Sequence, residues 1–332
     1  MIDPKPILVL ASNSFSAASV INHLLTQGKK VIGISRSAEI APVFRIYGGN
    51  PNLKNFIFHK IDLNNSSNKI TELINVYKVE NIFNFVSQSM VEQSWQNPDQ
   101  WYQTNVVGLA KLCDLLVRER TIKKFIHFST PEVYGSTQGW IEESFEFSPS
   151  TPYAISRAAG DWHLKCLFER YGFPVIFTRA ANVYGPGQQL YRIIPNTIIS
   201  ALLGEKLPLH GGGGSVRSFI HINDVSSALI SIMANAKIGE SYHISTKEVI
   251  SILNLVELIC SHLDIQVEEV AEVKPERPGK DFAYQLSTEK IRAELAWSDQ
   301  IPLESGLESV INWVKVNLNI LKTFPRTYEH KK

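Results

Sequence analysis

Through residue 180 the chain alternates short apolar runs with stretches whose apolar positions recur at helical spacing. Residues 7–10, 30–35, 56–60, 81–86, 124–129 and 174–179 read as strands, with residues 17–27, 67–77, 101–120 and 153–171 as helices between them. This alternation predicts an α/β protein with a doubly wound parallel sheet covered on both faces. Ligands then bind outside the carboxyl ends of the strands. After residues 182–187 the rhythm breaks, and Gly and Pro become frequent through Gly214. Helices return near 250–262, 288–295 and 303–319, which predicts a smaller second domain over residues 186–330 behind a first over 1–185. Residues 218–223 and 241–245 are the segments expected to return to the main sheet.

Composition narrows the class. With 332 residues, 44% hydrophobic and 20% charged, the chain is that of an ordinary globular protein with ample core. A net charge of +1 supplies no global field for nucleic acid or an anionic membrane. No apolar stretch is long enough to span a bilayer, and the first residues lack the features of a secretory signal. Cys113, Cys166 and Cys260 are far apart in apolar helical contexts, so core packing in a reducing, cytoplasmic setting is expected. No His/Cys/Asp spacing suggests a metal.

The first strand runs into Ala11-Ser12-Asn13-Ser14-Phe15-Ser16-Ala17, where a dinucleotide fold normally carries Gly-x-x-Gly-x-x-Gly. All three glycine positions are Ala, Ser and Ala. Small residues permit a similar path, and Ser12, Ser14 and Ser16 add hydroxyls near a helix N-terminus suited to phosphate. The second strand ends in Ser35-Arg36-Ser37. An acid there would hold a ribose 2′-hydroxyl, whereas arginine with flanking serines suits a 2′-phosphate; this favours NADP and leaves NAD open. Asp62 and Leu63 are placed for the adenine, and Ser87 and Gln88 for the nicotinamide side.

Two later strings carry the chemistry. Ser129-Thr130-Pro131-Glu132-Val133-Tyr134-Gly135 follows a strongly apolar run and brings a hydroxyl and a carboxylate to a sheet edge. Tyr153-Ala154-Ile155-Ser156-Arg157 places a phenol and a guanidinium on one face of a helix. A tyrosine beside a fixed cation can lose its proton near neutral pH, which equips it to oxidise an alcohol.

Together with Thr104-Asn105-Val106-Val107-Gly108, residues 179–186, residues 216–225 and Glu276-Arg277-Pro278-Gly279-Lys280-Asp281, these strings resemble the extended short-chain dehydrogenase/reductase family. Within it they are similar to nucleotide-sugar 4,6-dehydratases acting on GDP-mannose or dTDP-glucose. The resemblance implies a Rossmann-type sheet, a smaller C-terminal substrate-binding domain, a nucleotide-diphosphate sugar as substrate and a homodimer. It also implies roles. Tyr153 takes the proton from the sugar 4-hydroxyl, Thr130 bonds the same oxygen, and hydride passes from C4 to the nicotinamide. Glu132 removes the C5 proton as water leaves C6, and hydride returns to C6. Arg157 stands where the family has the lysine that lowers the tyrosine's pKa and bonds the nicotinamide ribose. Asn182, Arg217 and Arg277 correspond to substrate diphosphate and ribose contacts, and Arg192 to one near the base. Pro131 departs from the family's Asp or Ser and cannot donate a proton to the leaving oxygen. Two other readings stand beside this one. C4 epimerisation or decarboxylation uses the same substrates; a catalytically silent nucleotide-sugar binding protein is motivated by Arg157 and the missing glycines.

Overall fold

The computed structural model describes residues 5–275 and 285–330. Strands β1 (Ile7–Leu10), β2 (Val31–Ser35), β3 (Phe56–Lys60), β4 (Asn81–Asn84), β5 (Lys124–Phe128) and β6 (Val175–Ala180) fall within two residues of the sequence reading at each end. Further strands β7 (Asn182–Tyr184), β8 (Phe219–His221) and β9 (Ser241–Ile244) follow. The main sheet is parallel throughout, in the order β9-β6-β5-β4-β1-β2-β3. Of the two expected returns, β9 joins this sheet beside β6, while β8 pairs instead with β7. The strand order reverses between β1 and β4, which opens a crevice at their carboxyl ends.

Period-two alternation assigns the two faces. Ile7 and Val9 of β1 enter one core with helix α1 (Phe15–Thr26), whereas Leu8 and Leu10 enter the other with helices α2 (Leu63–Tyr77), α3 (Leu109–Glu119) and α4 (Pro152–Tyr171). Helices α5 (Ile193–Leu203) and α6 (Ile222–Asn235) had no counterpart in the pattern reading. The first joins α7 (Ile252–Ser261) and α8 (Leu303–Leu321) in a separate apolar cluster around Ile198, Leu255 and Val310; the second covers the α1 face of the sheet.

The helix expected over 101–120 is interrupted. Residues Gln103–Gly108 form a π turn, and regular α-helix resumes only at Leu109. Helix α4 is sharply bounded: Thr151 accepts from Ala154 N at 3.1 Å, Pro152 opens the first turn, and Gly172 ends it at φ 66°. Gly160 lets α4 approach the π turn, because a Cβ there would lie 2.8 Å from Asn105 O. Beyond α8 the chain runs back along α5. Arg326 pairs with Glu205, Tyr328 meets Tyr191 edge-on, and His330 stacks on Trp101 with ring centroids 5.0 Å apart.

Candidate active site

A cavity of about 510 Å³ lies at the crevice between β1 and β4. Ser14, Phe15 and Ser16 from the start of α1, Ser87 beyond β4, Thr130 and Glu132 beyond β5, and Tyr153 and Arg157 on α4 all line it. Asn182 of β7 and Arg192 just before α5 line it too. Residues far apart in sequence are thus brought to one cavity. Ser12, Asn13, Arg36, Asp62, Leu63, Gln88 and Arg217 lie off this wall. Arg277 falls outside the described residues.

Thr130, two residues past β5, is extended and caps the following turn, Pro131–Tyr134, accepting from Glu132 N at 3.3 Å. Pro131 is the first residue of that turn, where its missing N–H costs nothing. The same Thr130 side chain hydrogen-bonds Tyr153. Burial, followed by the Glu132 charge, pushes the Tyr153 phenol above its ordinary range; Arg157, the Thr130 bond and Arg192 act the other way. The direction expected from the Tyr-Arg pair alone is thus reversed in the protein by itself, because desolvation of the phenolate outweighs one neighbouring cation. Arg192 lines the same cavity, and its charge lowers the Tyr153 pKa.

Gln88 is held by a residue that the sequence reading did not assign to the site. Asn105 Oδ1 accepts from Gln88 N at 2.8 Å, and its Nδ2 donates to Gln88 O at 3.0 Å and to Ser156 Oγ at 2.9 Å. Ser156 Oγ in turn donates to Tyr153 O at 2.7 Å. The π turn aims Asn105 at both partners, and π turns are frequent at functional sites. The Thr104-to-Gly108 string was the available signal.

Beneath the cavity is a second unassigned group. Asp161, wholly buried, accepts from Ser129 Oγ at 2.8 Å and from Arg179 Nη2 at 2.7 Å. Burial raises its carboxyl pKa, but Arg179, His127 and Arg157 outweigh that and hold it below the usual carboxylate range. His127 is kept neutral chiefly by burial. Arg179 continues to Tyr134 Oη at 3.2 Å, which meets His243 Nε2 at 2.8 Å. The network joins β5, α4, β6 and β9.

At the nucleotide end Ala11 takes φ 56°, so the loop keeps a left-handed turn without its glycine. Ser14 caps α1, accepting from Ala17 N at 3.4 Å. Close packing is supplied from β2: a Cβ on Gly33 would lie 2.8 Å from Ser12 Cβ. A helix N-terminus flanked by Ser14 and Ser16 on the cavity wall fits a dinucleotide's phosphates. The serines beside Arg36 accept from Asn13. Asn13 N donates to Ser35 Oγ at 3.0 Å and Asn13 Nδ2 to Ser37 Oγ at 3.3 Å. Asp62 caps α2, accepting from Asn64 N at 3.0 Å, and Leu63 packs into the core.

Among substrate candidates, β7 pairs in parallel with β8, Asn182 opposite Phe219, and this fixes Asn182 on the cavity wall. Arg217 lies on a short strand paired with Ile250–Ser251, and its Nη1 donates to Val216 O at 2.8 Å.

A doubly wound sheet with a tyrosine, threonine and carboxylate beside its switch point fits a nucleotide-dependent enzyme that acts on an alcohol. The profile of the family described as GDP-mannose 4,6 dehydratase matches residues 15–310, and the chain belongs to that family. Its reaction type is the 4,6-dehydration of a nucleotide sugar. It is 30% identical over 340 residues to dTDP-glucose 4,6-dehydratase of Haemophilus influenzae, covering 94% of this chain and 98% of that one. The dTDP-glucose 4,6-dehydratase structure from Streptomyces venezuelae is 26% identical with TM-score 0.85, covering 95% of this chain and 98% of that chain. The Bacillus anthracis enzyme is 28% identical with TM-score 0.84, covering 96% and 99% respectively. Both were solved with NAD bound, and this overturns the expectation of NADP. The Ser35 and Ser37 hydroxyls accept from Asn13, which ties the end of β2 to the loop before α1.

Proposed function

We propose that this chain uses NAD to convert a nucleotide-diphosphate hexose into its 4-keto-6-deoxy derivative. The observation that carries the residue assignment is the meeting of Thr130, Glu132 and Tyr153 in one cavity with the phosphate-suited entry of α1. Bound there, the dinucleotide supplies temporary oxidation of the sugar at C4. Tyr153 Oη takes the proton from the 4-hydroxyl, with Thr130 bonded to the same oxygen. A ketone at C4 acidifies the C5 hydrogen, and the Glu132 carboxylate removes it as hydroxide leaves C6. Pro131 offers no proton for that leaving group, so Glu132 or a water delivers it. Asn182 takes the substrate's diphosphate side. Glu132 favours this reading over C4 epimerisation.

We assign the chain a homodimer as well, through the exposed face of α4 where Ile155 and Trp162 are each 43% exposed at helical spacing. Among the described residues no helix is long and apolar enough to cross a membrane. Cys113 and Cys260 are buried, whereas Cys166 is exposed rather than part of the core; all three are free thiols, which suits a reducing cytoplasm.

Incubation with GDP-, UDP-, dTDP- and CDP-hexoses in heavy water tests the reaction. Loss of one water with deuterium gained at C5 is the expected product signature. Unchanged mass with inverted stereochemistry would establish epimerisation instead. Tyr153→Phe should lower turnover by about 100-fold or more while sugar-nucleotide affinity stays within about threefold, the general-base contribution being of that size. A fully active variant would remove Tyr153 from the chemistry.

A further inference from the structure

Arg157 follows Tyr153 by one helical turn, yet its fork ends on backbone. The residue is 3% exposed. Nη1 donates to Val86 O at 3.1 Å, and Nη2 to Phe128 O at 2.5 Å. These carbonyls lie just past the point where the β4–β5 register ends, at Asn84 opposite His127. The guanidinium therefore ties the two strands together where their own pairing stops.

The support beneath the fork is defined. Val86 N donates to Asn84 Oδ1 at 3.1 Å, which leaves Asn84 Nδ2 to donate to His127 Nδ1 at 3.0 Å. The neutral imidazole then carries its proton on Nε2. That atom lies 3.3 Å from Asp161 Oδ1 and 3.3 Å from Arg157 Nη2. Asp161 is fixed from its other side by Ser129 and Arg179. A lysine ammonium is a single point charge and lacks the two-pronged geometry that reaches both strands.

We propose that Arg157 is a clamp across the ends of β4 and β5, a positioning residue that sets the floor between Ser87 and Thr130 and reaches Tyr153 only through its charge. In this role it does not take up the ribose contact of the lysine that it replaces. The charged groups acting on Tyr153 are Glu132, Arg157 and Arg192. Those acting on the buried base of the clamp are Asp161, His127 and Arg179. Only the turnover measurements below rest on the dehydratase reading.

A crystal structure of the wild-type protein with NAD bound decides the geometry without any variant. The expected result keeps the guanidinium on Val86 O and Phe128 O, and a guanidinium moved onto ribose hydroxyls overturns the proposal. Arg157→Lys adds a second measurement. The cofactor-free variant should melt lower by about 3 °C or more, having lost the bridge between the strands, and should turn over at least about tenfold more slowly. Turnover equal to wild type with an unchanged Tm would instead mean that position 157 works as a lysine does. Arg157→Met, which removes the charge, should move the acid limb of the turnover profile up by about one pH unit or more. An unmoved limb would reduce Arg157 to a structural part and overturn its action on Tyr153. If the clamp is present in the NAD-bound structure while no sugar nucleotide is dehydrated, the clamp stands and the proposed reaction falls.

Discussion

At the level of single residues, the nucleotide loop shows how a glycine fingerprint can be replaced. Ala11 occupies left-handed backbone, a conformation that costs a non-glycine residue about 1 kcal/mol. Ala11→Gly should therefore leave stability level or raise it by up to about 0.6 kcal/mol, read from urea unfolding, because the loosened unfolded chain offsets part of the relieved strain. A destabilised variant would show that the alanine methyl contributes packing. Gly33 makes the opposite case. An added Cβ would lie 2.7 Å from the Phe56 ring and 2.8 Å from Ser12 Cβ. Gly33→Ala should cost about 1–3 kcal/mol by the same measurement, and a neutral result would mean that the Phe56 ring moves freely aside. The letters of the loop correctly suggested small residues on a turn. They did not indicate that the glycine needed for close approach had moved to β2. Arg36 misled because an arginine after β2 does not by itself exclude a ribose with a free 2′-hydroxyl, and the similar structures hold NAD.

Among the elements, strands were legible because continuous apolar runs bounded by polar residues have few alternatives in a parallel sheet. Helix α4 was legible through the helical spacing that begins at Tyr153, while its Thr151 cap was not read. The π turn was not, because its extra residue per turn depends on Asn105 finding Gln88 and Ser156 across space. The buried group on α4 is similarly non-local, joining residues 127, 161 and 179. Asp161→Asn should destabilise by about 3–5 kcal/mol, because it leaves the buried Arg179 without its counter-charge. A loss under about 1 kcal/mol in denaturant would show that water or Tyr134 compensates the guanidinium.

For the molecule as a whole, buried histidines set the response to acid. His127, His221 and His243 are kept neutral by burial, with His221 pushed down to about 4 and His243 to about 3. An unfolded chain protonates each near pH 6.5, so below that pH it binds more protons than the folded one. Stability is thus complete above about pH 6.5 and falls on acidification, by up to about 1.4 kcal/mol per pH unit for each histidine. Asp161, whose pKa is depressed, adds a further loss below about pH 4. Urea midpoints should be level from pH 7 to 8 and drop between pH 6 and 5. A flat profile down to pH 5 would show that these imidazoles are protonated as easily inside as outside. The parallel sheet and its functional edge were readable from the chain, whereas the path of the last residues was not, since it depends on stacking His330 against Trp101.

That terminal path has a bearing on how the protein is handled. The start of β1 lies at the amino edge of the parallel strands, across the sheet from the cavity, so an affinity tag attached before it hangs clear of the site. A tag or fused partner attached at the other terminus leaves beside Trp101, a few residues after Tyr328 has packed on the cavity-lining Tyr191. The amino end is the one on which to immobilise this enzyme.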